Sequence, residues 1–342
     1  MRVKSFSFYK GVGLAATACA GVMATGRLYG ILRARRDRRD YPSPGTMVDV
    51  GGHSLHVLRM GEPGEGPTVL FEAGMASPLE CWTWVQREVS AWAPTISYER
   101  AGNGRSEQGP QPRTAARSTA ELRSALEGIG CPGPYVLVAH SYGGLLVRDF
   151  AQRHPDEVAG MVFVDVTHPD ELVRSPRQAS GVEQVEGNLR DSLQQATWGL
   201  RYLTATPEKT KLDGLPPYER ASAMAVTCTP QMWSGALAEF LDWQHHVIDE
   251  VRDSKLPHGV PLVVLTAEGA IEDDPVHLDL QRELCGLSTN SDHRVIKGAD
   301  HFTILTDMGA AAQVAQAIRD VTTAVRDGVP LAAASDSSVL NG

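Results

Sequence analysis

Tyr135-Val-Leu-Val-Ala-His-Ser-Tyr-Gly-Gly144 runs directly into Leu145-Leu-Val-Arg-Asp-Phe-Ala-Gln-Arg153. The first four residues are strand formers and the last nine carry a helical pattern, so Ser141 falls on a tight strand-to-helix turn. Such a turn holds the serine in a strained conformation with its hydroxyl exposed. It also brings the strand and helix backbones nearly into contact, which demands small residues two positions either side. Gly143 meets this demand fully, and Ala139 is small enough. The pattern [Gly/Ala]-x-Ser-x-Gly alone arises by chance in roughly one chain of this length in four. Its placement between a strand and a helix is what carries the reading.

Outward from this turn, short β-branched runs alternate with longer amphipathic ones, the pattern of a doubly wound, mostly parallel α/β sheet. Strands are expected at Ser54–Arg59, Thr68–Glu72, Thr95–Glu99, Tyr135–Ala139, Met161–Val166, Pro261–Thr266 and His293–Ile296. Helices are expected at Glu80–Ala91, Ala115–Ile129, Tyr142–Arg153, Pro275–Leu287 and Ala310–Arg326. The alternation breaks once. Residues 167–259 contain no convincing strand, but Trp198, Tyr202, Trp233, Phe240 and Trp243 recur at helix-like intervals. This stretch reads as a helical cap inserted before the last two strands of a core formed by residues 41–166 and 260–328. Tyr41-Pro-Ser-Pro-Gly45 punctuates a linker. Residues 329–342 read as a disordered tail.

From Val48 to Asp327 the chain resembles the α/β-hydrolase superfamily, as a serine-nucleophile, esterase- or lipase-like member with a helical cap. Thr68-Val-Leu-Phe-Glu-Ala-Gly-Met-Ala76 is similar to the strand and loop that supply one oxyanion-hole amide. By that match the backbone N–H groups of Met75 and Tyr142 would hold a developing oxyanion, each worth a few kcal/mol in a transition state. Ser97-Tyr-Glu-Arg-Ala-Gly-Asn-Gly-Arg-Ser106 resembles the family's Asp-Arg-x-Gly-x-Gly-x-Ser loop, with Arg100 as a brace for its neighbours. His301, in Ile296-Lys-Gly-Ala-Asp-His-Phe302, occupies the family's place for the general base. His140 is a poor candidate for that role, because adjacent residues of such a turn point to different sides.

The resemblance implies a catalytic acid between the serine and the histidine. The commonest site, after the Pro261–Thr266 strand, falls on Ala270, with Glu272, Asp273 and Asp274 just beyond. The alternative is Asp165, at the end of the Met161–Val166 strand, and it is favoured over Asp273. A serine at the turn argues against dehalogenase and epoxide-hydrolase chemistry, which needs a carboxylate nucleophile. The implied activity is therefore hydrolysis of an ester or a related acyl bond through an acyl-enzyme, with no cofactor. The rival reading is a ligand-binding or scaffold protein that keeps the fold. Between Trp198 and Trp243 no basic cluster occurs beyond Lys209 and Lys211, which points to a small, apolar, uncharged substrate.

The net charge of −9 hides an asymmetry: residues 1–40 carry nine Lys/Arg against Asp37 and Asp40. An acidic body argues against nucleic acid as a partner. The basic segment adjoins the apolar run Gly11–Gly26, and the two together suit a membrane surface. That run is short for a spanning helix and is read as an anchor or a signal. Membrane association is the favoured location, with secreted or cytoplasmic alternatives. The five cysteines show no metal-ligand spacing, and His245–His246 lacks a His-x-x-x-His partner, so no metal is expected.

Overall fold

The computed structural model describes residues 4–64 and 66–331, with side chains from Gly21 onward. Most of the expected tail, from residue 332, lies outside the described residues. Eight strands form one sheet in the order β1-β2-β4-β3-β5-β6-β7-β8. They are β1 (Thr46–Asp49), β2 (Ser54–Met60), β3 (Thr68–Glu72), β4 (Thr95–Glu99), β5 (Tyr135–His140), β6 (Val158–Val164), β7 (Leu262–Ala267) and β8 (Ser291–Ile296). β2 runs antiparallel to β1 and β4, and every other neighbouring pair is parallel. β1 has no counterpart in the sequence reading. It is a four-residue edge strand with only Val48 partly sheltered, too short to leave an alternating pattern.

The central strands are apolar on both faces, as a sheet covered by helices on both sides requires. Val136 and Val138 of β5 join a core with Phe71, Val263, Leu265 and the buried side of a long C-terminal helix. Leu137 and Ala139 point the other way, against Leu122, Leu126, Val147 and Phe150. The helices before β6 are α1 (Lys4–Asp40), α2 (Thr83–Ser90), α3 (Ala115–Gly128) and α4 (Gly143–Arg153). The expected Glu80–Ala91 helix is divided, with a 3₁₀ turn at Leu79–Trp82 preceding α2.

Between β6 and β7 every described element is helical: α5 (Glu171–Arg174), α6 (Pro176–Thr197), α7 (Arg201–Thr204), α8 (Pro217–Thr227), α9 (Pro230–Asp242), a π turn at Trp243–Val247 and α10 (Ile248–Val251). Phe240 and Trp243 from this segment pack with Tyr142, Leu145 and Leu146, directly over the Ser141 turn. After β7 come α11 (Glu268–Asp273), α12 (Pro275–Cys285), α13 (Thr303–Thr306) and α14 (Met308–Asp327). The apolar run Gly11–Gly26 is absorbed into α1. Among the described residues no helix is long and apolar enough to cross a membrane, because this run leans on Gly and Ala.

Candidate active site

The site lies at the C-terminal ends of the parallel strands, where open α/β sheets place their ligands. β5 ends at His140, and Ser141 follows with φ +55. A non-glycine residue rarely adopts this conformation. It is held by Ser141 N–H donating to Val164 O (3.3 Å), while Ser141 O accepts from Gly144 N–H (3.0 Å) and Thr167 N–H (3.0 Å). α4 begins at Gly143, and its closeness to β3 explains the glycine. A Cβ there would sit 2.7 Å from Glu72 O and 2.8 Å from Ala73 O.

The Ser141 hydroxyl donates to His301 Nε2 at 2.9 Å. His301 Nδ1–H in turn donates to Asp165 Oδ2 at 2.6 Å. Asp165 follows β6 with φ +48, so the expected Met161–Val166 strand stops at Val164 and the chain turns. Its other oxygen, Oδ1, accepts from Ala267 N–H (2.9 Å) and His277 Nε2–H (3.0 Å). Burial pushes this carboxyl up, but the bonds from His277 and His301 and their charge outweigh it and hold Asp165 well below the usual carboxylate range. Asp165 is fully buried, whereas the His301 side chain is 35% exposed toward the opening.

The competing carboxylates stand elsewhere. Asp273 is 72% exposed beside Arg177. Asp274 caps α12 through Val276 N–H and accepts from the Ser175 hydroxyl. Ala270 packs against the core. His140 braces the site from behind. Its Nε2–H donates to His301 O at 2.7 Å, and its ring stacks on that of His301 with centroids 4.7 Å apart. Burial, and then the neighbouring His301, lower its pKa to about 3, so His140 stays neutral.

The loop after β3 faces the Ser141 turn across Gly74, whose Cβ, if present, would sit 3.1 Å from Ser141 Cβ. Among the described residues neither Met75 N–H nor Tyr142 N–H finds an acceptor. Arg100 grips this loop from below. It donates to Ala73 O (2.6 Å), Gly74 O (3.1 Å) and Glu72 Oε1 (2.7 Å), and its guanidinium lies 5.4 Å from the centre of the Tyr142 ring. Its remaining donors reach Glu239 of α9 at 2.7 and 2.8 Å. The buried ion pair therefore ties both loops beside Ser141 to the helical segment.

Two of these residues escaped the sequence reading. His277 sits two residues into α12, in a stretch whose spacing gives no sign that it faces Asp165. Glu239 was unmarked because its partner lies 139 residues away in the chain.

The sequence pattern of the alpha/beta hydrolase family matches residues 69–317. An AB hydrolase superfamily protein of Gibberella zeae is 36% identical over 117 residues, 32% of this chain and 36% of that protein. A haloalkane dehalogenase of Sphingobium indicum is 28% identical over 136 residues, 38% of this chain and 45% of its own. An uncharacterised protein of Bacillus subtilis is 30% identical over 139 residues, 38% of this chain and 55% of that one. The chain thus spans only part of the length of each of these relatives. Among solved structures, a Vigna radiata epoxide hydrolase mutant superposes with a TM-score of 0.63 at 18% identity, covering 81% of this chain and 97% of that one. At that identity the likeness is one of fold. The family pattern spans well over half of the chain, from β3 into α14, and the protein belongs to the alpha/beta hydrolase family.

Proposed function

We propose that the protein is a serine hydrolase that cleaves an ester or related acyl bond through an acyl-enzyme intermediate. The observation that carries this reading is the Ser141 hydroxyl within 2.9 Å of an imidazole whose far nitrogen is bound to a buried carboxylate at 2.6 Å. Ser141 Oγ attacks the substrate carbonyl as His301 Nε2 accepts its proton. Asp165 fixes the Nδ1–H tautomer and stabilises the imidazolium. The Met75 and Tyr142 amides receive the oxyanion, and His301 returns the proton to the departing alcohol. Water, deprotonated by the same imidazole, then releases the acid. A hydroxyl rather than a carboxylate at residue 141 favours acyl transfer over the chemistry named for the dehalogenase and epoxide hydrolase relatives.

The segment 167–259 serves as a cap in this reading, and its Leu172 and Val182 pack against the same buried cluster, around Tyr142 and Phe240, as Met75 and Ala76 do. Lys211, a basic side chain beside the His301 loop, is already paired with Asp300 at 3.2 Å. An uncharged acyl group therefore fits. Aryl esters of graded acyl length, each compared with an analogue bearing a free carboxylate, test this. The neutral series should be hydrolysed with at least roughly tenfold higher kcat/KM, the scale of one apolar-pocket discrimination. Turnover of an epoxide or a haloalkane but of no ester would overturn the reading. The helix α1 lies on a membrane surface rather than through it, supported by its basic excess and its exposed Leu28, Ile31 and Leu32.

Arg100 serves as a positioning residue for the oxyanion amides. Arg100→Lys keeps the charge but cannot span Ala73 O, Gly74 O and both carboxylates at once. A displacement of the amides of the order of 1 Å is worth about 10²-fold. We expect kcat to fall about 10- to 100-fold with KM within about twofold. Glu239→Gln should give a smaller loss of the same kind. A rise in KM with kcat unchanged would remove Arg100 from this role.

A further inference from the structure

A cavity of about 760 Å³ lies between the C-terminal part of α1, helices α6, α8 and α9, and the Gly104–Arg105 turn. It does not include Ser141 or His301. Three glycines bring its walls together. A Cβ on Gly26 would sit 2.4 Å from Trp198 O, one on Gly30 would sit 3.1 Å from Gly199 Cα, and Gly199 itself has φ +71. Tyr29 packs edge-on against Tyr202 with ring centroids 5.9 Å apart, the Arg33 guanidinium lies 6.0 Å from the centre of the same Tyr202 ring, and Asp37 is buried. This half of α1 is therefore seated on the molecule.

Its charges are sorted by face. Arg27, Ile31, Arg35 and Arg38 recur at helical spacing and line the cavity. Arg33 and Arg36 pair with Asp37 and Asp40. No carboxylate among the described residues pairs with Arg27, Arg35 or Arg38. The one acid in the lining is Asp37, already held by Arg33. The opposite wall is small, with Ala196, Ala225 and Val226, and its cation Arg105 is already paired with Glu80 at 2.8 Å and Glu99 at 3.6 Å. Leu28 and Leu32 of α1, and Leu200 and Leu203 shortly after the Gly199 contact, stand exposed by 46–74%. Arg35 and Arg38 stand about one turn apart on the cavity side of α1 without a carboxylate partner among the described residues, and a phosphate accepts the paired donors of two such guanidinium groups well. The exposed leucines beside them suit an acyl chain.

We propose that this cavity binds the phosphate head group of an anionic membrane lipid, held by Arg35 and Arg38 one turn apart on α1, with the acyl chain along the exposed Leu28 and Leu32 of the same helix. The proposal rests on α1 being a membrane-surface element and adds the lipid it selects. Near an anionic surface each arginine is worth about fivefold in partitioning.

The test is co-sedimentation of the full chain with phosphatidylcholine vesicles, plain or doped with phosphatidylglycerol. It compares the wild type, Arg35→Gln/Arg38→Gln, and the off-cavity pair Arg36→Gln/Arg39→Gln. The wild type should prefer doped vesicles. Removing two surface charges costs about 25-fold anywhere on the helix, so the control pair should lose no more than that, the cavity pair clearly more, and ester hydrolysis in solution should stay unchanged in both. Equal losses in the two pairs would overturn the cavity site. Equal binding to plain and doped vesicles would overturn head-group selection while leaving α1 a surface element, and no binding to either would overturn both. Calorimetric titration with inorganic phosphate separates the sources. Weak or absent binding agrees with a lipid, and saturable binding as tight as that to doped vesicles would overturn the lipid in favour of a soluble phosphate.

Discussion

Replacing Ser141 with Ala is expected to cut ester hydrolysis by about 10⁵- to 10⁶-fold and to abolish covalent labelling by a fluorophosphonate. Losses of that size follow when the attacking oxygen of a serine–histidine pair is removed, because the remaining groups have nothing to activate. The fold should survive. The turn is held by backbone bonds from Ser141 N–H to Val164 O, and from Gly144 and Thr167 to Ser141 O, none of which uses the side chain. Ala pays the same penalty as Ser for φ +55. His301 also keeps Asp165 at Nδ1 and the stacked His140 ring. Near-ultraviolet circular dichroism and the thermal midpoint should therefore match the wild type. Turnover of an activated ester at close to the wild-type rate would refute the central claim.

The parts of this molecule that could be read from sequence are those whose constraints are local. The Tyr135–Gly144 stretch is legible because a strand, a strained turn and a helix impose their demands within ten consecutive residues. Gly143 records a contact with the β3 backbone that no larger residue allows. The central strands are legible because burial on both faces leaves unbroken apolar runs such as Val136–Val138 and Leu262–Leu265. β1 was not, since an exposed four-residue edge strand needs no such run. β6 ends two residues before the apolar, β-branched sequence does, because a positive φ at Asp165 breaks the strand inside it. The Arg100–Glu239 pair and the His277 contact with Asp165 join residues more than a hundred positions apart, so each depends on where the helices pack. Neither partner carries a local mark of the other.

The same reasoning gives the last and most discriminating expectation, which concerns the carboxylate behind His301. Asp165 accepts three hydrogen bonds: one from His301 at Oδ2, and two, from Ala267 N–H and His277, at Oδ1. An asparagine has one carbonyl oxygen to offer. With that oxygen kept toward Ala267 and His277, the amide NH₂ must face His301 Nδ1, which can accept it only by giving up its proton. The imidazole is then protonated at Nε2 and presents a donor, where Ser141 needs an acceptor. Asp165→Asn should therefore lower kcat by about 10⁴, or about 5 kcal/mol of barrier, with little change in thermal midpoint. With the amide turned the other way, its NH₂ meets Ala267 N–H and His277 Nε2–H, two donors, and the misfit should appear as lost stability instead. Asp273→Asn should leave kcat within about twofold, because its side chain is 72% exposed and pairs with Arg177. Asp274→Asn should act on the start of α12 and on the Ser175 contact, lowering the thermal midpoint more than kcat. If Asp165→Asn retained activity within about tenfold of the wild type while Asp273→Asn or Asp274→Asn lost it, the proton relay would have to run through the α11–α12 turn, and the assignment of Asp165 would fall.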